Sequence, residues 1–214
     1  MPVRKVVTRS GKKFRGRFPS RKNAISIAWE SLHEKDAILY LEYCSSVASY
    51  EEQPSEETYY VRGVPHRYYP DLRARLVNGQ VVDIEVKPSR KLLNKELKEK
   101  YGRIAAMYQK SGRNFRILTE RDYRAQPLHS NLKRLHRASK LIWREADMAV
   151  LLARLGSGPS WTLEQAGHLL GKGDRALALV AWRALCLDLG SPIGMNTLLW
   201  LPKETGGGND PIQF

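Results

Sequence analysis

The chain has 214 residues and carries 36 Lys and Arg against 22 Asp and Glu, a net charge of +14. That length suits one ordinary domain or two small ones, and 42% hydrophobic content supplies packed cores, which argues against wholesale disorder. No run of about 18 apolar residues occurs, no signal peptide opens the chain, and Cys44 and Cys186 form neither a CxxC nor a disulfide framework. The expectation is a soluble, unexported protein of a reducing cytoplasm whose surplus charge attracts a polyanion, most plausibly nucleic acid.

Nine basic residues and no acidic one fall within positions 1–22, a basic arm suited to phosphates. From Ser26 to Tyr43 the spacing of Ile27, Ser31, Glu34, Ile38 and Leu41 predicts one helical stripe. Glu34 occupies a place in it that packing would fill with an apolar residue, and Glu30, one turn earlier, competes for the same role. Short β-like runs follow at Val47 to Glu52, Thr58 to Arg62, Arg67 to Leu76 and Val81 to Lys87, punctuated by Gly63-Val64-Pro65 and Asn78-Gly79. They predict an antiparallel meander. A charged helix should run from Lys91 to Lys110, with Leu93, Leu97, Tyr101, Ile104 and Tyr108 on one side, and Asn114 to Thr119 reads as a last strand. This order predicts an α/β fold, a mixed sheet flanked by helices.

Pro127 begins a second region, continuing to residue 203. Helices are expected over 130–155, from Thr162 through Leu170, and from Arg175 to Leu187, followed by a hairpin within Ile193 to Leu201, a layout that resembles a winged helix. Trp161, Trp182 and Trp200 are expected in its core. Gly206-Gly207-Gly208 marks a flexible tail over 204–214.

The stretch that carries chemistry is Tyr69-Pro70-Asp71 with Asp83-Ile84-Glu85-Val86-Lys87. Strand alternation puts Glu85 and Lys87 on one face, and the Asn78-Gly79 hairpin folds the Asp71 strand back beside them. Glu34 can reach the same place from the preceding helix. Hard oxygen donors of this kind suit one or two Mg²⁺ or Mn²⁺ ions. Asp71 and Glu85 would hold an ion that activates water for in-line phosphodiester hydrolysis, and Lys87 would orient or deprotonate that water or stabilise the developing charge. The plainer alternative is a turn Asp and a surface Glu85–Lys87 ion pair.

The sequence Glu30 to Pro54, then Tyr68-Tyr69-Pro70-Asp71, Ile84-Glu85-Val86-Lys87-Pro88 and Ile117-Leu118-Thr119-Glu120, resembles the TnsA endonuclease family of TnsABC-type transposons, within the PD-(D/E)xK nucleases. The resemblance covers roughly residues 26–125. It implies a restriction-endonuclease-like core over 23–126. It also implies catalytic Glu34, Asp71, Glu85 and Lys87, and a metal set of Glu34, Asp71, Glu85 and Val86. Double-stranded DNA at transposon ends, a TnsB-like DDE transposase and a TnsC-like AAA+ ATPase are its implied partners, with a bacterial cytoplasmic setting and cleavage of the non-transferred strand at the 5′ ends. Asp83 departs from an apolar neighbour expected on that strand and reads as solvated. Gln53, His33, His66, Lys91 and the Lys95–Arg103 helix face are lesser candidates for DNA or site contacts. A restriction or repair nuclease of the same superfamily, or a non-catalytic DNA-binding scaffold, are the competing readings.

Overall fold

The computed structural model describes residues 14–142, 144–156, 158 and 160–202. They divide into two compact units between Ala125 and Gln126.

The first unit opens with an antiparallel hairpin, β1 (Gly16–Ser20) and β2 (Ile25–Trp29). Gly16 is required there: a Cβ would lie 2.4 Å from the Trp29 ring. Phe14 to Lys22, read from sequence as part of a basic arm, thus enters ordered structure, while positions 1–13 lie outside the described residues. The helix expected from Ser26 is also corrected. It begins at Leu32, as α1 (Leu32–Tyr43). Ser31 Oγ accepts the Glu34 N–H at 3.1 Å, and the Glu34 carboxylate accepts the Glu30 N–H at 2.7 Å and the Ser31 hydroxyl at 2.9 Å. This capping exchange satisfies orphan donors at the helix start and leaves the β-branched and aromatic Ile25–Trp29 run extended.

Buried Glu42 fastens the hairpin to α1. Its carboxylate accepts the Ser20 hydroxyl (2.7 Å), the Arg21 and Lys22 backbone N–H groups (2.9 and 3.1 Å) and the Tyr50 hydroxyl (2.6 Å).

Next come β3 (Val47–Glu52), β4 (Glu57–Val61), β5 (Val64–Tyr68), β6 (Leu72–Leu76) and β7 (Val81–Val86), then α2 (Lys95–Lys110), β8 (Asn114–Leu118) and the short α3 (Glu120–Tyr123). The main sheet has the order β3-β6-β7-β8, antiparallel except for the parallel β7–β8 pair that α2 connects. The expected Arg67–Leu76 strand is two strands, because Pro70 lacks an N–H and interrupts the run at Tyr69-Pro70-Asp71. Nor do the strands form a simple meander. β4 and β5 pair only with each other, through a turn with positive φ at Arg62 and Gly63 (50° and 81°), and β3 passes over them to pair with β6.

Along β7 the side chains alternate, so Asp83 and Glu85 share a face. That face meets α2: Tyr108 donates to Asp83 and Tyr101 to Glu85, each at 2.7 Å. The result is an α/β core with a mixed sheet and flanking helices.

The second unit comprises α4 (Leu128–Ala138), α5 (Glu145–Leu155), β9 (Trp161–Thr162), α6 (Leu163–Leu169), α7 (Gly173–Ala181) and β10 (Leu198–Leu199). The single helix expected over 130–155 is broken. The Ser139 hydroxyl turns back to the His136 carbonyl, and Asp147 accepts the Arg144 N–H to start a new helix. The α7 helix also ends earlier than expected. β10 pairs with β9, and Cys186 bridges Trp200, so Leu198–Trp200 finds its partners far along the chain instead of within Ile193–Leu201. The described order is two helices, a short strand, two helices and a second short strand, with one isolated antiparallel bridge. Gly167 permits the α6–α7 approach, since a Cβ there would lie 2.9 Å from Gly173 Cα. Trp161 is buried but Trp182 is 40% exposed, contrary to its expected core place. The expected tail at 204–214 lies outside the described residues. No described helix is long and apolar enough to cross a membrane.

Candidate active site

The β6–β7 hairpin pairs Leu72 with Ile84, which puts Asp71 and Glu85 next in register at one end of the ladder. The Val86 N–H donates to Asp71 Oδ2 at 2.8 Å, and the Gln53 N–H donates to the Asp71 carbonyl at 3.1 Å. Main chain and side chain of Asp71 are therefore both held by neighbouring strands. Lys87, two residues past Glu85, extends its Nζ to 2.5 Å from Glu85 Oε1 and 3.8 Å from Asp71 Oδ2. One ammonium bridges two carboxylates.

Asp71, Val86 and Lys87 open onto a cleft of about 490 Å³ whose rim includes Glu30, His33, Glu34 and Lys91, with Phe14 at its edge. Burial, then the neighbouring Glu85 charge, drives the Asp71 carboxyl well above the ordinary aspartate range, with Lys87 only partly offsetting them. Glu34 is raised chiefly by burial, against its hydrogen bonds from Glu30 and Ser31 and the pull of Lys87. Burial pulls Lys87 down, but Asp71 and Glu85 more than compensate, so its ammonium is stabilised.

Among the described residues, no group of three or more His, Cys, Asp or Glu side chains is gathered so as to hold an ion on its own. Glu34 spends both oxygens on its helix cap, and Glu85 is filled by Tyr68, Tyr101 and Lys87. The donor chemistry nevertheless fits a small hard cation. Asp71 is a carboxylate short of positive charge facing an open cleft, and Mg²⁺ or Mn²⁺ needs only one or two carboxylates because it keeps several waters.

The structure places the other sequence candidates differently. Asp83 is 2% exposed, not solvated. It is paired with Arg73 at 2.5 Å and Arg113 at 2.9 Å, and Arg113 also grips Glu57. This network neutralises Asp83 and takes it out of the cleft chemistry. His33 lies beside the cleft with Nδ1 2.7 Å from the Tyr123 hydroxyl, whereas His66 stacks on Tyr59. Thr119 caps α3, while Glu120 accepts the Ser89 N–H at 2.8 Å and also its hydroxyl, tying the chain beyond Lys87 to the end of β8. Gln53 is buried with a positive φ of 41°. The tyrosine hydroxyls on Glu85 were not foreseen from the sequence. Their signal is the placement of Tyr101 and Tyr108 seven apart on α2, matching Asp83 and Glu85 two apart on β7.

A mixed four-stranded sheet with flanking helices that brings an aspartate and a Glu-x-Lys to one ladder end is consistent with the restriction-endonuclease-like fold class. Residues 44–120, all within the first unit, match the family model of the TnsA-like endonuclease N-terminal domain, a similarity that supports a TnsA-like nuclease. The match contains Asp71, Glu85, Lys87 and Glu120, and Glu34 precedes it. No curated protein matches the chain.

Proposed function

We propose that the chain is the metal-dependent DNA endonuclease subunit of a heteromeric transposase. It cuts the non-transferred strand at transposon 5′ ends beside a TnsB-like DDE transposase, under a TnsC-like AAA+ ATPase. The observation that carries this reading is the Lys87 ammonium bridging Asp71 and Glu85 at the floor of an open cleft. The TnsA-like match supports it, as does a chain charge of +14 suited to a phosphate backbone.

Asp71 would hold Mg²⁺ or Mn²⁺, with Glu34 and Glu85 joining it, beside the backbone carbonyl of Val86, on release of the donors they now bind. When bound, such an ion supplies Lewis acidity at the phosphoryl oxygens and lowers the pKa of its water. The residues do the rest. Val86 N–H and Gln53 N–H keep Asp71 from turning away from the cleft. Glu85 keeps Lys87 extended, and Lys87 orients the attacking water or donates to the phosphoryl oxygens as their charge grows. The water oxygen gives up a proton to solvent as it bonds to phosphorus, the P–O3′ bond breaks, and the departing 3′ oxygen takes up a proton from solvent. Lys91, which lines the cleft, would meet a flanking phosphate.

The test is nicking of duplex DNA carrying transposon ends, with and without a TnsB-like transposase, together with calorimetric Mn²⁺ titration of wild type and Asp71→Ala. The reading expects 5′-end nicks that need the partner and a metal response that Asp71→Ala abolishes. Nicking of unrelated DNA without a partner would indicate a restriction or repair nuclease. Identical null titrations and no nicking would leave a DNA-binding scaffold.

A further inference from the structure

Glu85 is 3% exposed, yet three donors from three segments converge on it. Oε2 accepts the Tyr68 hydroxyl and Oε1 the Tyr101 hydroxyl, each at 2.7 Å, and Lys87 Nζ stands 2.5 Å from Oε1. A carboxylate offers about four acceptor sites, so most of its capacity is used inside the protein. Tyr68 ends β5, immediately ahead of Tyr69-Pro70-Asp71, and Tyr101 projects from α2. Both rings belong to a buried cluster with Tyr59, Ile104 and Tyr108. The apolar packing of that cluster needs rings, not hydroxyls. Two phenols aimed at one carboxylate are explained by what the carboxylate holds. Lys87 has a flexible four-carbon stem, and its short bond to Glu85 is what fixes the ammonium 3.8 Å from Asp71.

We propose that Tyr68 and Tyr101 are positioning residues of the nuclease site, clamping Glu85 in the orientation that presents Lys87 to Asp71 and the cleft. The inference rests on the nuclease reading above. Neither tyrosine touches DNA; both act through Glu85. Outer partners of this kind are commonly worth about 10–100-fold in metal affinity or activity.

Tyr108 provides an internal control. It donates to a buried carboxylate from the same helix and the same cluster, at the same 2.7 Å, but its partner Asp83 is neutralised by Arg73 and Arg113. The experiment compares wild type with Tyr68→Phe, Tyr101→Phe and Tyr108→Phe. It measures single-turnover nicking of transposon-end duplex with the partner transposase, Mn²⁺ affinity by calorimetry, thermal melting, and the ¹⁵N resonance of the Lys87 ammonium. The expected result is that Tyr68→Phe and Tyr101→Phe slow the chemical step and weaken Mn²⁺ by about 10–100-fold. They should also shift the Lys87 resonance and leave the DNA KM unchanged. Tyr108→Phe should change none of these beyond about twofold while melting like the other two. If wild type nicks and binds Mn²⁺ but all three variants behave alike, the positioning role is overturned. If wild type neither nicks nor binds Mn²⁺, the nuclease reading itself falls, a result distinct from the first.

Discussion

The carboxylate of Asp71 accepts the backbone N–H of Val86, the residue between Glu85 and Lys87, at 2.8 Å. A main-chain donor on one strand thus sets the side chain of the other, and the acidic pair is aligned before any substrate arrives. Preorganisation of this kind lowers the reorganisation needed at reaction.

Asp71→Asn keeps an acceptor for Val86 but removes the charge. Nicking should fall by about 10³-fold, equivalent to about 4 kcal/mol of transition-state stabilisation. Stability should not fall, because burial and Glu85 already disfavour the charge. The raised Asp71 carboxyl binds its proton more tightly in the folded protein than in the unfolded chain. Its contribution to stability is therefore complete below the ordinary aspartate range and is lost as pH rises through the elevated folded value. Urea unfolding in EDTA across pH 3–8 should show that slope in wild type and its loss in Asp71→Asn.

Lys87→Met leaves Asp71 and Glu85 side by side without their shared cation. Breaking a fully buried pair costs about 3–5 kcal/mol. Lys87 is 27% exposed, so about 2 kcal/mol is expected at pH 7, with part of it regained on acidification. Nicking should be abolished while Mn²⁺ binds at least as tightly as in wild type, since the competing ammonium is gone. Calorimetry beside a denaturant melt checks both.

Glu120 anchors the segment after Lys87 through the Ser89 hydroxyl and N–H, which lower its carboxyl to about 2. A depressed carboxylate stabilises the fold above its unfolded pKa of about 4.3, and this is lost as pH falls through the folded value. Glu120→Gln should therefore flatten the acid limb of the stability curve between about pH 4.5 and 2, and leave melting at pH 8 lower than wild type by an amount that salt reduces.

Glu42→Ala strands the Arg21 and Lys22 N–H groups and the Ser20 and Tyr50 hydroxyls that converge on it. With several donors losing a buried charged acceptor, about 3 kcal/mol or more of unfolding free energy should disappear. Amide exchange should quicken in β1 and β2 more than in β7.

Much of the sheet was legible in the sequence. Local rules decide it: alternation placed β3 and β7 at their observed positions, Asn78-Gly79 made the β6–β7 hairpin, and that hairpin alone is enough to bring Asp71 beside Glu85 and Lys87. Local rules also misled where two of them competed. The stripe through Ile27 and Ser31 matched a helical period, yet the Ser31–Glu34 cap was the stronger signal and moved the helix start to Leu32. Pro70 outweighed the β character of Arg67–Leu76.

What tertiary structure alone decided is the company each charge keeps. Asp83 and Glu85 are the same residue class two positions apart on one strand. One is sealed between Arg73 and Arg113, and the other is clamped by Tyr68, Tyr101 and Lys87, the last of which lines the cleft. These partners come from separate strands and helices, brought together by burial of apolar faces that carry no information about charge. The sequence by itself therefore determined which residues could do the chemistry, and packing determined which carboxylate is silenced and which is poised, because pairing energies depend on distances that only the folded chain sets.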